Sequence, residues 1–228
     1  MAHFEIEIKS LLGAKEKAET LKGKFLQRFP EAKLKSQTAQ LNHYFTGGDM
    51  DALFELLSPH FSEEQRVSLR KILHEGKNHS VRTRQTGTGD ERQVLFVVKA
   101  SIDDSTSSNG VMRMEFEEAV SLTLDELDDL LLSAGLEYQA KWSRDREEYV
   151  ADDIALCLDK NAGYGYLAEF EKIVHVAEEA DGVKRELLAL MEELGVEELP
   201  QDRLERMFAH YNAHWPEYYG TENIFTIE

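Results

Sequence analysis

The chain opens on an alternation of charged and apolar residues that fits a two-faced strand and little else: His3-Phe4-Glu5-Ile6-Glu7-Ile8-Lys9. At period 2, Glu5, Glu7 and Lys9 share one face and Phe4, Ile6 and Ile8 share the other. Side chains on one face repeat about every 6–7 Å along such a strand. Two carboxylates and an ammonium in line suit a divalent cation held beside an anion. The apolar face demands burial, so the charged face either meets water or lines a polar cavity. The other strands decide which.

Charge narrows the partners. With 26 Lys+Arg against 44 Asp+Glu, the net charge of −18 opposes nonspecific binding to nucleic acid or to an anionic membrane, and neither partner is expected. An acidic chain that handles an anion must gather its bases locally. The single cysteine, Cys157, excludes an internal disulfide framework. No signal-peptide core and no apolar run near 18 residues is visible, so a cytoplasmic location is expected. The 228 residues suffice for one large domain with helical additions.

Periodicity lays out the elements. Ala14, Ala18, Leu21, Phe25 and Phe29 fall at helical spacing before Pro30, and Gln37–Thr46 reads as a strand closed by Gly47-Gly48. A helical insert spans about 49–76, with a capping box at Ser62–Gln65 and a stop at Gly76. Strands resume at Ser80–Gln85, Val94–Ala100 and Val111–Val120, with turns at Gly87–Asp90 and Ser105–Gly110. A second capping box, Thr123–Glu126, starts a helix to about Ala134. Strands follow at Glu137–Ala151, Ile154–Leu158 and Tyr166–Val174, with a turn at Asn161–Gly165. A helical extension fills about 178–228: one helix to Leu194, another from Pro200, then an aromatic tail expected to pack on the body. The fold class this implies is α+β, an antiparallel β-barrel of about eight strands with helices packed outside, in one domain over 1–228.

The same test of faces applies to each strand. Arg82 and Arg84 share a face, as do Arg113, Glu115 and Glu117, Arg144 and Arg146, and Glu169 and Glu171. Lys99 lies in line with Leu95 and Val97, and Asp159 sits at a strand end. For any one strand, the solvated face of a half-buried sheet is sufficient explanation. The joint pattern is not so easily dismissed, because charges are sorted by type and the opposite faces, Phe4/Ile6/Ile8 and Met112/Met114/Phe116, are strongly apolar. Under covering helices the charged faces turn inward. Unpaired interior carboxylates cost several kcal/mol each, so divalent metal beside Glu and a polyanion beside Arg and Lys would satisfy both sets. Oxygen-only ligands favour Mg²⁺ or Mn²⁺ over Zn²⁺.

At these residues the chain resembles the CYTH superfamily, the triphosphate tunnel metalloenzymes, which includes class IV adenylyl cyclases, thiamine triphosphatases and inorganic tripolyphosphatases. Glu5-x-Glu7-x-Lys9 is similar to its signature. Arg82-x-Arg84, Lys99, Glu115-x-Glu117, Arg144-x-Arg146, Asp159 and Glu169-x-Glu171 follow in the family's order. The family often has Lys-x-Arg where this chain has Arg144-x-Arg146, with Lys141 nearby. The resemblance implies an eight-stranded triphosphate tunnel and a Mg²⁺- or Mn²⁺-dependent enzyme acting on a small-molecule triphosphate. It implies metal ligands at Glu5, Glu7, Glu115, Glu117, Asp159, Glu169 and Glu171. Phosphate would be held by Lys9, Arg82, Arg84, Lys99, Arg113, Arg144 and Arg146, with Lys9, Arg144 and Arg146 catalytic.

Hydrolysis of inorganic tripolyphosphate, thiamine triphosphate or a nucleoside triphosphate is the leading expectation. A class IV adenylyl cyclase releasing pyrophosphate and a noncatalytic polyphosphate- or nucleotide-binding module are the alternatives. Other suggestive residues have plainer readings. His43 reads as the polar tip of a packed aromatic strand, Cys157 as a buried small residue, and Asp125, Glu126, Asp128 and Asp129 as facing either solvent or the helix N-terminus. Trp215, Tyr218 and Tyr219 suit either a cap on the tunnel mouth or a homodimer contact.

Overall fold

The computed structural model describes residues 4–87, 89–101, 113–174 and 179–227, and of Phe4, Glu5, Asp90 and Arg113 it describes the backbone alone. The turn expected at Ser105–Gly110 and Met112 lie outside the described residues. The order is β1 (Phe4–Gly13), α1 (Lys15–Arg28), β2 (Lys33–Gly47), α2 (Met50–Leu57), α3 (Glu63–Glu75), β3 (Lys77–Thr86), β4 (Gln93–Ser101) and β5 (Arg113–Val120). Then come α4 (Leu124–Ser133), β6 (Leu136–Ala151), β7 (Ile154–Asn161), β8 (Gly165–Val174), α5 (Ala180–Leu194) and α6 (Gln201–His214).

The fold is α+β, with eight strands hydrogen-bonded in the order β1-β8-β7-β6-β2-β3-β4-β5. Among the described residues β1 pairs only with β8 and β5 only with β4, so the ladder is not closed and the expected barrel describes it only approximately. No helix among the described residues is long and apolar enough to cross a membrane.

Backbone contacts divide the chain into two compact units, residues 1–38 with 143–228, and residues 39–142. In the first, β1 pairs with β8 so that Lys9 faces Glu169 and Glu7 faces Glu171, and β7 pairs with β8 and β6. The alternate residues Ile6, Ile8, Leu156, Leu158, Ala168 and Phe170 are buried with Leu21 and Phe25 of α1 and Leu187 and Leu190 of α5. The helices therefore cover the apolar face, as the alternation implied. The C-terminal tail packs on the β7–β8 turn. Phe225 N–H donates to Gly163 O at 2.6 Å, and its ring meets Tyr164 and Tyr218. Gly163, at φ +86°, leaves no room for a Cβ against Tyr211 and Phe225.

In the second unit β3, β4 and β5 form a meander, with Lys99 opposite Glu115 and β2 opposite β3. Phe45, Val81, Phe96, Val98 and Phe116 form the core with Leu53 and Leu57 of α2, Leu69 and Ile72 of α3, and Leu127 and Leu131 of α4. Both expected capping boxes are present, Ser62 with Gln65 opening α3 and Thr123 with Glu126 opening α4. β2 and β3 begin well before their expected limits, at Lys33 and at Lys77. Their first residues are mostly polar and partly exposed, so no apolar period marks them.

Candidate active site

In the first unit β1, β8, β7 and β6 deliver charge to one face. Lys9 Nζ lies 3.3 Å from Glu169 Oε1 and is ion-paired with Glu7. Each oxygen of Asp159 takes an arginine nitrogen: Arg146 Nε donates to Oδ1 and Nη2 to Oδ2, both at 2.7 Å, and Arg144 Nη1 to Oδ2 at 3.0 Å. Arg146 also pairs with Glu169. Asp159 does not end its strand as expected; β7 continues to Asn161, and Asp159 sits in the ladder opposite Arg146. That depth is why it is 1% exposed.

One oxygen from each of Glu7, Glu169 and Glu171 falls within 4.8 Å of the others. Burial taken alone would raise the Glu169 carboxyl. Lys9, Arg146 and Arg144 outweigh it and hold that group at about 2, so it is an anion at any physiological pH. Three hard oxygen donors converging beside bases fit a small divalent cation such as Mg²⁺ or Mn²⁺ and do not fit a soft metal.

The second unit carries its own charged face. Arg84 Nε donates to Asn42 Oδ1 at 2.8 Å, and Nη1 reaches both oxygens of Glu117 at 2.9 and 3.1 Å. Lys99 Nζ lies 2.9 Å from Glu115 Oε1. Arg82 packs its guanidinium 4.8 Å from the Tyr44 ring centroid and donates to Tyr44 OH at 3.1 Å. Its Nε is buried with no hydrogen-bond partner among the described residues. Half-exposed ion pairs such as Lys99–Glu115 are worth only ~0–1 kcal/mol, so an incoming anion displaces them at little cost.

Glu7, Lys9, Arg144, Arg146, Asp159, Glu169 and Glu171 thus gather in the first unit, and Arg82, Arg84, Lys99, Glu115 and Glu117 in the second. The side chains of Glu5 and Arg113 lie outside what the structure describes.

Three features escaped the sequence reading. Glu148, on the face shared by Arg144 and Arg146, accepts from Lys35 Nζ at 2.7 Å and Ser36 Oγ at 3.0 Å. Cys157 is buried as expected, but it pairs with Glu169 and Glu148 on the charged side; burial first and Glu171 second push its thiol up. Asp128 does not face solvent, the first of its two expected settings. It is 1% exposed and accepts hydrogen bonds from His43, Thr83 and Tyr138. The signal was there in principle, since Asp128 falls on the helical stripe of Leu124, Leu127 and Leu131.

Comparison with known proteins identifies the family. The CYTH domain family model matches residues 3–203. The structure is similar to PH1819 protein from Pyrococcus horikoshii, at 20% identity over 90% of this chain and 98% of that one, with a TM-score of 0.60. It is similar to a candidate adenylate cyclase from Vibrio parahaemolyticus, at 14% identity over 92% and 99% of the two chains, TM-score 0.58. It is also similar to a candidate adenylyl cyclase from Hippeastrum with a dominant triphosphatase activity, at 14% identity over 91% and 96%, TM-score 0.51. No curated protein matches the sequence.

Proposed function

Because the chain belongs to the CYTH domain family, we propose that it is a divalent-metal-dependent phosphohydrolase acting on a small-molecule triphosphate. The observation that carries this reading is the convergence of Glu7, Glu169 and Glu171 beside Lys9, itself beside the Asp159-held arginines. The dominant triphosphatase activity of the Hippeastrum protein supports hydrolysis over cyclisation.

Glu7, Glu169 and Glu171 would hold the metal, and Glu5, Glu115 and Glu117 are carboxylates to which the family resemblance assigns the same role. When bound, a divalent ion supplies charge neutralisation on the phosphate oxygens. Lys9, Arg144 and Arg146 carry the catalytic role: they stabilise charge on the phosphoryl group as water attacks the terminal phosphorus and the bridging oxygen departs with its electron pair. Asp159 spends its oxygens on Arg144 and Arg146, so its part is to fix their forks. The family resemblance assigns phosphate binding to Arg82, Arg84, Lys99 and Arg113 as well. Arg84 and Lys99 exchange a carboxylate for phosphate, and Arg82 offers its unspent Nε.

The test is phosphate release from tripolyphosphate, thiamine triphosphate and ATP with Mg²⁺, with Mn²⁺ and with chelator. Metal-dependent phosphate release from at least one supports hydrolysis. Cyclic AMP and pyrophosphate from ATP would assign a cyclase instead, and tight binding with no turnover under any metal a noncatalytic module.

A further inference from the structure

Among its described residues the second unit buries one carboxylate in its apolar layer, and the positions it touches are not random. Asp128, on α4, takes Thr83 Oγ1 on Oδ1 at 2.6 Å, and His43 Nδ1 at 2.6 Å and Tyr138 OH at 2.7 Å on Oδ2. Those three donors come from β3, β2 and β6. Thr83 and His43 are themselves opposite one another in the β2–β3 ladder. On either side of that pair, Asn42 faces Arg84 and Tyr44 faces Arg82. Period 2 sends His43 and Thr83 to the helix side and these four to the charged side, where Asn42 holds Arg84 and Tyr44 holds Arg82.

A leucine on the Leu124–Leu127–Leu131 stripe would tie α4 to the sheet without desolvating a charge. A buried carboxylate costs several kcal/mol unless its lone pairs are filled, and what it adds over leucine is direction. Three short bonds fix the height and twist of β2 against β3 at the one rung between the two arginines. Binding forks tolerate displacement of only ~0.5 Å.

We infer that Asp128 is a positioning residue: through His43 and Thr83 it sets the rung that aims Arg82 and Arg84 at the anion. Its consequence for turnover rests on the triphosphatase reading, but the placement of the arginines can be read without it.

The experiment compares wild type with Asp128→Asn, and with Leu127→Ala as a control that loosens the same helix at a fully buried apolar position. Two readouts are taken: the Nε–Hε resonances of Arg82 and Arg84, assigned through Arg82→Lys and Arg84→Lys, and the KM and kcat for tripolyphosphate with Mg²⁺. Asp128→Asn is expected to shift both arginine resonances and raise KM about 10-fold, with a smaller change in kcat. Leu127→Ala is expected to lower the melting temperature and leave resonances and KM in place. Wild-type resonances and KM in Asp128→Asn, or equal shifts in Leu127→Ala, would overturn the inference. If wild type turns over no triphosphate, the functional reading fails alone and the resonances still decide the role of Asp128. Should Asp128→Asn not fold, Thr83→Val removes one donor at similar volume and is read in the same way.

Discussion

Lys9 and Glu169 face each other across the β1–β8 ladder, Nζ 3.3 Å from Oε1, and each makes the other tenable at its depth. Glu169 is 7% exposed, and without a cation beside it burial would favour its protonated form. Lys9→Met is therefore expected to lower kcat/KM for the triphosphate ~10²–10³-fold, the loss typical of one charge-stabilising donor. Arg146 still pairs with Glu169, so chemical denaturation is expected to show a loss of only about 1–3 kcal/mol.

Arg146 is a different case, because two acids depend on it. Arg146→Ala removes two hydrogen bonds from Asp159 and an ion pair from Glu169. Stripping one partner from a buried charge cluster costs ~3–5 kcal/mol, and urea unfolding is expected to show a loss of that order along with loss of activity. Arg146→Lys keeps the charge without the fork that spans Nε and Nη2, so partial recovery of stability with poor activity is the expected pattern.

Acid stability reports on Asp128. Burial raises its carboxyl, but bonds from His43, Thr83 and Tyr138 outweigh this and leave it below the usual carboxylate range. A group lowered in the folded state binds its proton less readily there than in the unfolded chain. Its contribution is therefore complete above the ordinary value near pH ~4 and lost as pH falls through the lowered one. The stability difference between wild type and Asp128→Asn is expected to be level above pH ~5 and to shrink below ~4. A difference that stays constant through the acid range would show that the carboxyl is not lowered.

Helix α4 delivers Asp128, and its start is fixed by a reciprocal cap: Thr123 N–H donates to Glu126 Oε2 at 2.8 Å and Glu126 N–H to Thr123 Oγ1 at 3.2 Å. Thr123→Ala is expected to cost about 1 kcal/mol in thermal or urea unfolding. A loss below a few tenths would mean that packing of Leu124, Leu127 and Leu131 alone sets the start of the helix.

Much of this was legible before any coordinates. The alternation in Phe4–Lys9 follows from the pleat, and Ser62–Gln65 and Thr123–Glu126 cap their helices through purely local bonds. Arg144 and Arg146 share a face for the same reason as Glu169 and Glu171. What stayed hidden depends on partners distant in sequence. His43 and Thr83 meet Asp128 only after β2, β3 and α4 have packed, 85 and 45 residues apart in the chain. Cys157 reads as apolar from Leu156 and Leu158, which point to the opposite face, while its cross-strand partners are Glu169 and Glu148. Strand count points to a barrel, but count does not fix whether the last strand meets the first.

The central claim is that the first unit's carboxylates serve a metal on which turnover depends, and Glu7 tests it most directly. It is the exposed member of the Glu7–Glu169–Glu171 group, so Glu7→Gln is expected to leave the melting curve unchanged. The decisive measurement is phosphate release from tripolyphosphate across a Mn²⁺ titration, for wild type and Glu7→Gln side by side. The expected result is saturable activation in wild type and a loss of at least about 10-fold in the variant, the lower end of what removing even an outer partner of a metal site costs. Equal, fully metal-activated turnover in both would contradict the claim.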